Sequence, residues 1–316
     1  MKPVAIVSAA NAVYFPLLEG LLDSVAANAA REDTALCVFD LGLTTAQREQ
    51  LSARGVRLVE PGWDLSWPAL ADTPPNYKKY VTVAPFVPRH FPGHEIYVWL
   101  DADAWCQTAR ALDLLIRGAR KGRLAVVPVL DRAYGVALSG ATVRLFPDLP
   151  FLKGRRRRLK TWLFSMMRKY YDRGTANRLL FKPVLSAGIW ALPAEAPHWA
   201  AWEASLRAAR FRSGRDLSDQ SPLNHAVYTN DLPVELLPAW CNWTCHMALP
   251  HWDGERGLFV EPYLPHEPIS IIHMVGRTQE GEHDVPVLGG GSRRMALTYQ
   301  GRAGSAFPRG RGAPAS

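Results

Sequence analysis

The first 130 residues alternate short runs of β-forming residues with helical patterns, and this alternation restricts the fold more than any other feature. Strand, helix, strand repeated in this way predicts an α/β fold, with a mainly parallel central sheet and helices on both faces. Thr44 and Gln47 form a capping-box pattern at the start of one helix. We predict strands at residues 4–10, 34–40, 56–61, 95–101 and 124–130, and helices at residues 15–27, 44–55, 77–88 and 109–119.

Beyond residue 130 the pattern is less regular, with loop and basic helix as far as residue 182. We predict further strands at residues 184–192, 234–238 and 268–274, and helices at residues 196–209 and 218–228. We therefore expect a single domain at residues 1–288, with a basic amphipathic insertion at about residues 151–182. Residues 289–316 are rich in Gly, Arg and Ser, and we expect a disordered tail there.

Composition is that of an ordinary globular protein, with 48% apolar and 21% charged residues among 316. Four cysteines in a chain of this length do not make a disulfide framework. Neither a signal peptide nor an apolar run long enough to cross a membrane is evident. These features predict a reduced, cytoplasmic protein.

The net charge of +8 is concentrated in one segment. Residues 151–182 contain eleven Lys and Arg and one acidic residue, Asp172. A general nucleic-acid-binding surface would spread its charge more widely or belong to a recognised module, so no nucleic acid is expected as a partner.

Two aspartates, Asp101 and Asp103, follow the apolar run that ends at Leu100. Ligands of parallel sheets bind beyond the carboxyl ends of the strands, which is where both carboxylates fall. Two oxygen ligands at this spacing suit Mg²⁺ or Mn²⁺. An isolated D-x-D is more often chance or a strand-end cap, so its interpretation depends on the motifs that accompany it.

Two further motifs carry chemistry. His273 closes another buried apolar run, and imidazole also binds Mn²⁺. Ser218, Asp219 and Gln220 open a helical pattern, where Asp219 is equally a plausible helix cap. Taken singly, a histidine of this kind is more often a structural residue.

The order of these motifs resembles the GT-A glycosyltransferases of glycosyltransferase family 8, the group of glycogenin and the bacterial lipopolysaccharide glucosyl- and galactosyltransferases. The resemblance covers most of residues 4–279. It implies a GT-A fold in which Asn11 hydrogen-bonds the nucleotide base and Tyr14 stacks on uracil. Lys79 stands where the family has an arginine that contacts the nucleotide sugar, a change that keeps the charge and loses the bidentate fork.

By the same resemblance, Asp101, Asp103 and His273 would bind the metal, with Asp101 also touching the ribose or sugar. The family's N-A-G segment matches residues 186–188, with Ser186 in place of asparagine and Gly188 allowing close approach of the ligand. A glycine in a strand can equally mark a bulge.

The family's D-Q-D-x-L-N segment matches residues 219–224, which would place Asp219 on donor hydroxyls and Gln220 beneath the anomeric carbon. Ser221 replaces the second aspartate. The family's H-x-x-G-x-x-K motif is matched at His273 and Gly276, with Gln279 in place of lysine. Arg277 is then the candidate cation for the diphosphate.

The activity implied is that of a Mn²⁺- or Mg²⁺-dependent retaining glycosyltransferase. It would move a hexose from a UDP-sugar to a saccharide or lipid-linked acceptor in surface polysaccharide or lipopolysaccharide synthesis. Two alternatives remain open: a nucleotidyltransferase that uses the paired aspartates, and a catalytically degenerate member that binds sugar or membrane.

Two other features fall outside the resemblance. Apolar residues at helical spacing in residues 159–171 either attach the chain to an anionic membrane at its inner face or pack on the domain. Zinc ligand types occur at Cys241, Cys245, His246 and His251, but their spacing fits no common zinc pattern.

Overall fold

The fold is described from a computed structural model that covers residues 2–66, 74–134 and 161–302. The strands in chain order are β1 (Val4–Ala10), β2 (Thr34–Asp40), β3 (Arg57–Val59), β4 (Ile96–Leu100), β5 (Ala104–Cys106), β6 (Leu124–Pro128), β7 (Leu185–Pro193), β8 (Val234–Leu236), β9 (Trp243–Thr244), β10 (His251–Asp253), β11 (Leu258–Val260), β12 (Ile271–His273), β13 (His283–Pro286) and β14 (Ser292–Met295).

The α-helices are α1 (Phe15–Asn28), α2 (Thr45–Ala53), α3 (Tyr80–Val83), α4 (Val87–His90), α5 (Arg110–Arg120), α6 (Trp162–Tyr170), α7 (Arg173–Arg178), α8 (His198–Ala208), α9 (Gln220–Thr229) and α10 (Tyr299–Arg302). The predicted capping box is confirmed, because the Thr44 hydroxyl accepts from the backbone of Gln47 and the Gln47 side chain accepts from the backbone of Thr44.

A seven-stranded sheet with the order β3-β2-β1-β4-β7-β6-β8 forms the centre of the fold. Within it, β7 is antiparallel to both of its neighbours, β4 and β6, and the other pairs are parallel. The predicted α/β fold with a mainly parallel sheet is therefore confirmed.

Alternation along β4 gives the sheet two buried faces. Ile96, Val98 and Leu100 point into the core beneath α1 and α5. Tyr97 and Trp99 point into the opposite core, which contains residues of α8 and α9. Because both faces are covered, β4 reads as an unbroken apolar run and its carboxyl end is the first place where polar side chains emerge.

The helix predicted across residues 77–88 is interrupted. The chain forms two short α-helices, α3 and α4, joined to 3₁₀ turns at Asn76–Lys79 and Ala84–Phe86. Pro85 and Pro88 explain the interruption, since neither can donate the backbone hydrogen bond that a continuous helix requires.

Part of the basic insertion is described, and there its apolar stripe packs inward. Leu163, Met167 and Tyr170 of α6 are buried in a cluster with Phe86 and Leu217. Of the two alternatives for this stripe, packing on the domain is therefore the one adopted by residues 161–171. The four consecutive arginines of the insertion lie outside the described residues, as does Leu159.

The predicted disordered tail is wrong for residues 289–302. Strand β14 pairs antiparallel with β13, and Met295 and Leu297 are buried. The Trp105 indole donates to the Leu297 carbonyl at 2.8 Å. The prediction failed because the turn glycines at 289–291 dominate the local composition, and the two buried apolar residues have little weight in it. Residues 303–316 lie outside the described part of the chain.

None of the helices in the described ranges is long and apolar enough to cross a membrane. All four cysteines are buried and unpaired.

A chain truncated after residue 288 should lose stability, because Trp105 loses the Leu297 acceptor and the core loses two apolar side chains. Each buried apolar side chain contributes about 1.5–3 kcal/mol, so we expect the melting temperature to fall by roughly 5 °C or more. Truncation after residue 302 is the control, since it keeps every contact described above. Equal melting curves for the two truncations would contradict this role of the tail.

Candidate active site

Asp101 and Asp103 lie in a tight turn between β4 and β5, beyond the buried end of β4. The Asp101 amide donates to the Gly188 carbonyl at 2.9 Å, and the Ala104 amide donates to the Asp101 carbonyl at 3.0 Å. The Asp103 carbonyl accepts from the Met274 amide at 2.9 Å. The turn is thus held from both sides by backbone of distant segments.

A second, three-stranded sheet delivers His273 to this turn. Its strands are ordered β5-β12-β9, and His273 pairs with Ala104 on one side and with Thr244 on the other. Because β5 begins directly after Asp103, this register places the His273 imidazole beside the two carboxylates.

The three side chains form a compact cluster. His273 Nε2 lies 3.2 Å from Asp103 Oδ1 and 3.7 Å from Asp101 Oδ2. One ligand atom from each residue can be chosen so that all three lie within 4.8 Å of one another, and this is the one such group of three or more ligands in the described ranges.

Gly188 allows this approach, because a side chain at that position would enter the cluster. A Cβ atom on Gly188 would lie 2.6 Å from Asp101 Oδ2 and 2.6 Å from His273 Cε1. The pairing of β7 with β6 is also irregular here, between Leu185 and Trp190. Both interpretations of the glycine therefore apply: it lies in a strand irregularity, and it makes room for the carboxylate and imidazole.

Hydrogen bonds from outside the cluster orient two of its members. The Trp99 indole donates to Asp101 Oδ1 at 2.8 Å. His273 Nδ1 lies 2.8 Å from Asn242 Oδ1, and because an amide oxygen can only accept, Nδ1 carries the proton. The unprotonated lone pair of a neutral His273 is then on Nε2, which faces the carboxylates.

The electrostatics show an excess of buried negative charge. Burial, and next the repulsion from Asp103, raises the pKa of the Asp101 carboxyl to about 8, although His273 opposes this rise. Burial alone would lower the pKa of His273, but the Asp103 and Asp101 carboxylates outweigh it and raise that pKa. Burial also raises the pKa of Asp219, offset by the Gln220 amide and the Lys78 charge.

This donor set fits a divalent cation. Two carboxylates and one imidazole suit Mn²⁺, and carboxylate oxygens suit Mg²⁺. The imidazole is held through its other nitrogen, as metal-binding histidines usually are. A cation between Asp101 and Asp103 would also relieve their repulsion.

The three residues of the cluster line a cavity of about 460 Å³. Ten of the residues predicted to form the site line it. They lie in β7, at the start of α9 or in the turns that follow β1 and β4, or in β12 and the turn after it. They are Asn11, Tyr14, Asp101, Asp103, Ser186, Gly188, Asp219, Gln220, His273 and Gly276.

The start of α9 is fastened to β7 by a buried amide. Asn224 Oδ1 accepts from the Leu185 amide, while its Nδ2 donates to the Leu185 and Gln220 carbonyls. Asp219 caps the helix through the Gln220 amide at 2.6 Å. Ser221 is fully buried, with its hydroxyl 3.2 Å from that of Ser218, so the position that departs from the family pattern does not face the cavity.

Two predicted cations are not among the residues that line the cavity. Lys79 is buried, and Arg277 is exposed in the 3₁₀ turn Gly276–Gln279. Lys78 is instead the lysine whose charge acts on Asp219. Gln279 does line the cavity and donates to Asp103 Oδ2 at 2.6 Å, so it bonds a carboxylate where the family's lysine would carry charge.

Four aromatic or imidazole side chains that line the cavity were not predicted from the sequence: Tyr77, Tyr80, Trp162 and His246. Tyr77 and Tyr80 flank Lys78 and Lys79 in the sequence. The prediction therefore chose the correct segment, but the side chains that line the cavity are the tyrosines and not Lys79. His246 lies two residues beyond the Thr244 partner of His273; burial and then the His273 charge lower its pKa. No local pattern marks Trp162 or His246 as lining this cavity.

Within the described ranges, Cys241, Cys245, His246 and His251 do not come together as a metal-binding group. Burial raises the pKa of both thiols above the ordinary range, which disfavours the thiolates that zinc requires. The structure gives the zinc interpretation no support.

No family model matches the sequence, and no curated protein matches it. Among solved structures, that of WbbM, a bifunctional glycosyltransferase, matches with a TM-score of 0.53 at 13% identity, over 87% of this chain and 46% of WbbM. The chain thus spans about half the length of WbbM. An active-site mutant of LgtC gives a TM-score of 0.46 at 13% identity, over 86% of this chain and 87% of LgtC.

A structure of the galactosyltransferase LgtC with donor and acceptor sugar analogues likewise gives 0.46 at 12% identity, over 87% of this chain and 88% of LgtC. Of these three likenesses, that to WbbM has the highest TM-score. Together with the strand order, it confirms the GT-A type of α/β fold expected from the sequence. At 13% identity, the likeness establishes a fold and not an activity.

Replacing Gly188 by Ala should open the cluster, because the new methyl group would displace Asp101 or His273. We expect Mn²⁺ affinity, measured by calorimetry, to fall at least about tenfold, with a stability loss of about 1–3 kcal/mol from overpacking. Gly254→Ala is the matched control, since its Cβ would meet only Trp252 Nε1, at 3.9 Å. Unchanged Mn²⁺ affinity in Gly188→Ala would refute this role.

Proposed function

We propose that this chain is a metal-dependent retaining glycosyltransferase that moves a hexose from a UDP-sugar to an acceptor hydroxyl. The observation that carries the proposal is the Asp101, Asp103 and His273 cluster, at the carboxyl end of a central strand in a GT-A-type fold. Carboxyl ends of parallel strands are where such sheets bind ligands.

The cavity supports a donor with a negatively charged leaving group only if a cation is supplied. Asp101, Asp103 and Asp219 line it, whereas its described lining contains neither Lys nor Arg. A diphosphate would be repelled by these carboxylates. A bound divalent ion would supply the Lewis-acid charge that neutralises the diphosphate.

Asn11 and Tyr14 are the proposed contacts for the uracil base. The Asn11 side-chain oxygen accepts from the Val13 and Tyr14 amides, which leaves its NH₂ group to donate to the base. Tyr14 lines the cavity and is 40% exposed, so its ring is available to stack on uracil.

Gln220 and Asp219 are the proposed contacts for the transferred sugar, with Ser186 on the facing wall. Asp219 would accept from sugar hydroxyls. Gln220 is a weak nucleophile, so we propose front-face transfer, in which the leaving phosphate oxygen takes the proton of the acceptor hydroxyl. This route retains the anomeric configuration and needs no strong side-chain base.

The acceptor is proposed to be a saccharide or lipid-linked sugar in surface polysaccharide or lipopolysaccharide synthesis. The exposed aromatic rings of Tyr77 and Trp162 on the cavity wall support a sugar acceptor, because sugar rings stack on aromatic faces. Gln279, bonded to Asp103, is the one observation that favours the catalytically degenerate alternative.

Asp103→Ala should abolish Mn²⁺-dependent turnover, because it removes one of the two carboxylates of the proposed metal site, the one nearer to His273 Nε2. In a screen of UDP-glucose, UDP-galactose and UDP-N-acetylglucosamine, the wild-type chain should hydrolyse one of them when Mn²⁺ is present. We expect the variant to lose at least about 100-fold in rate while keeping its circular dichroism spectrum.

Asp284→Ala, at an exposed aspartate of β13, is the matched control and should keep full rate. Full rate in Asp103→Ala would rule out the proposed role of the cluster. Wild-type protein that binds UDP and Mn²⁺ but turns over none of the three donors would favour the degenerate alternative.

Peripheral contact with an anionic membrane is proposed for residues 151–182, of which residues 161–182 are described. Since the apolar stripe of α6 packs inward, this contact would be chiefly electrostatic. Arg168, Arg173, Arg178 and Lys182 are exposed, and Phe181 is 81% exposed beside them in the sequence. Basic side chains near a bilayer each contribute about 1 kcal/mol on anionic lipid.

The chain should therefore sediment with phosphatidylglycerol vesicles at low salt and be released at 0.5 M salt. Phe181→Ser should weaken this binding several-fold, because an apolar anchor is lost. Leu236→Ser is the control, as Leu236 is a 50% exposed apolar residue of β8. Equal sedimentation with neutral phosphatidylcholine vesicles would contradict an electrostatic contact.

A further inference from the structure

A buried line of hydrogen bonds connects β7 to the candidate metal cluster through Asn242. The Asn242 Nδ2 group donates to the Ser186 hydroxyl at 3.0 Å, and Asn242 Oδ1 accepts from His273 Nδ1 at 2.8 Å. Beyond the imidazole, His273 Nε2 lies 3.2 Å from Asp103. Ser186, Asn242 and His273 are 6%, 2% and 5% exposed.

The backbone holds Asn242 in place independently of these side-chain bonds. Its amide donates to the Ala239 carbonyl at 2.9 Å, and its carbonyl accepts from the Thr244 hydroxyl at 3.4 Å. Both sequence neighbours, Cys241 and Trp243, are fully buried. With its backbone fixed and its neighbours buried, the Asn242 side chain has little room to move. Its Oδ1 atom therefore has a fixed position relative to one nitrogen of the imidazole.

The direction of the amide determines the direction of the imidazole. Ser186 anchors the NH₂ side, which keeps the oxygen of Asn242 toward His273. The oxygen then requires the proton of His273 on Nδ1, and the lone pair of Nε2 is turned to the two carboxylates. No metal contact by Asn242 itself is needed for this effect.

We infer that Asn242 is a positioning residue that fixes the tautomer and orientation of His273 for metal binding, with Ser186 as the anchor of its amide. The inference rests on the proposed metal-dependent function and assigns a role at the metal site to one further residue. In the sequence, Asn242-Trp243-Thr244 has the pattern of a glycosylation sequon. Asn242 is too buried for that modification and is engaged instead at the cluster.

The test measures Mn²⁺ affinity by calorimetry in the full-length protein and two near-isosteric variants. Asn242→Leu removes the acceptor and should weaken Mn²⁺ binding about 10- to 100-fold. Asn242→Asp keeps an acceptor for Nδ1 and adds charge, so it should bind Mn²⁺ within about threefold of wild type or tighter. If Asn242 had a purely structural role, Asn242→Asp should bind Mn²⁺ more weakly than Asn242→Leu, because a buried charge disrupts packing more than the loss of an amide does.

Nitrogen NMR of the histidine rings supplies a second readout that does not depend on activity. With Mg²⁺ bound, His273 should show a protonated Nδ1 in the wild type and in Asn242→Asp, and lose that signature in Asn242→Leu. Asn177→Leu, at an exposed asparagine of α7, is the control and should match wild type in both measurements.

The outcomes separate the two proposals. If wild-type protein binds Mn²⁺ and Asn242→Leu binds it equally well, the positioning role of Asn242 is overturned and the proposed function stands. If Asn242→Leu does not fold, an Asn242→Asp variant that folds but binds Mn²⁺ tenfold more weakly also overturns it. If wild type binds no Mn²⁺, the metal-dependent function fails, and the role of Asn242 fails with it.

Discussion

Repulsion between two closely spaced carboxylates, that of buried Asp103 and that of partly buried Asp101, is the constraint around which this site is organised. Asp101 and Asp103 emerge where β4 leaves the core, and burial with mutual repulsion makes their joint ionisation costly. His273 is the one described imidazole within ion-pair distance of both. Three features place and orient this imidazole. The register of β12 with β5 brings it beside the carboxylates, the lack of a side chain at Gly188 leaves room for it, and the side-chain amide of Asn242 hydrogen-bonds it.

The same constraint explains the character of the cavity. A wall with three carboxylates and no described Lys or Arg does not attract a diphosphate, so the proposed nucleotide donor would need a divalent ion at the cluster. Gln279, which donates to Asp103, stabilises the carboxylate where a lysine would have added charge. Neither His246, which lines the cavity, nor Lys78, whose charge acts on Asp219, belongs to the cluster.

Much of the fold could be predicted from local patterns because they report local physics. The continuous apolar run of β4, the Thr44 and Gln47 capping box and the alternation of strands with helices are all properties of neighbouring residues. Two predictions failed, one for a local reason and one because the feature depends on distant partners. Residues 77–88 break at prolines into short turns, and Met295 and Leu297 are buried because Trp105 and its neighbours receive them, although their surroundings are rich in Gly and Arg.

The sequence by itself determined which residues could carry the chemistry: paired aspartates at a strand end, a histidine after another apolar run, and a polar helix start at Asp219 and Gln220. Only the tertiary structure decided that they meet, because the pairing of β12 with β5 joins segments more than 160 residues apart and no local pattern encodes that register. It also decided that Lys79 and Arg277 are not among the lining residues, and that Asn242 bonds His273. Side-chain direction and close approach are properties of packing, which a single sequence does not specify.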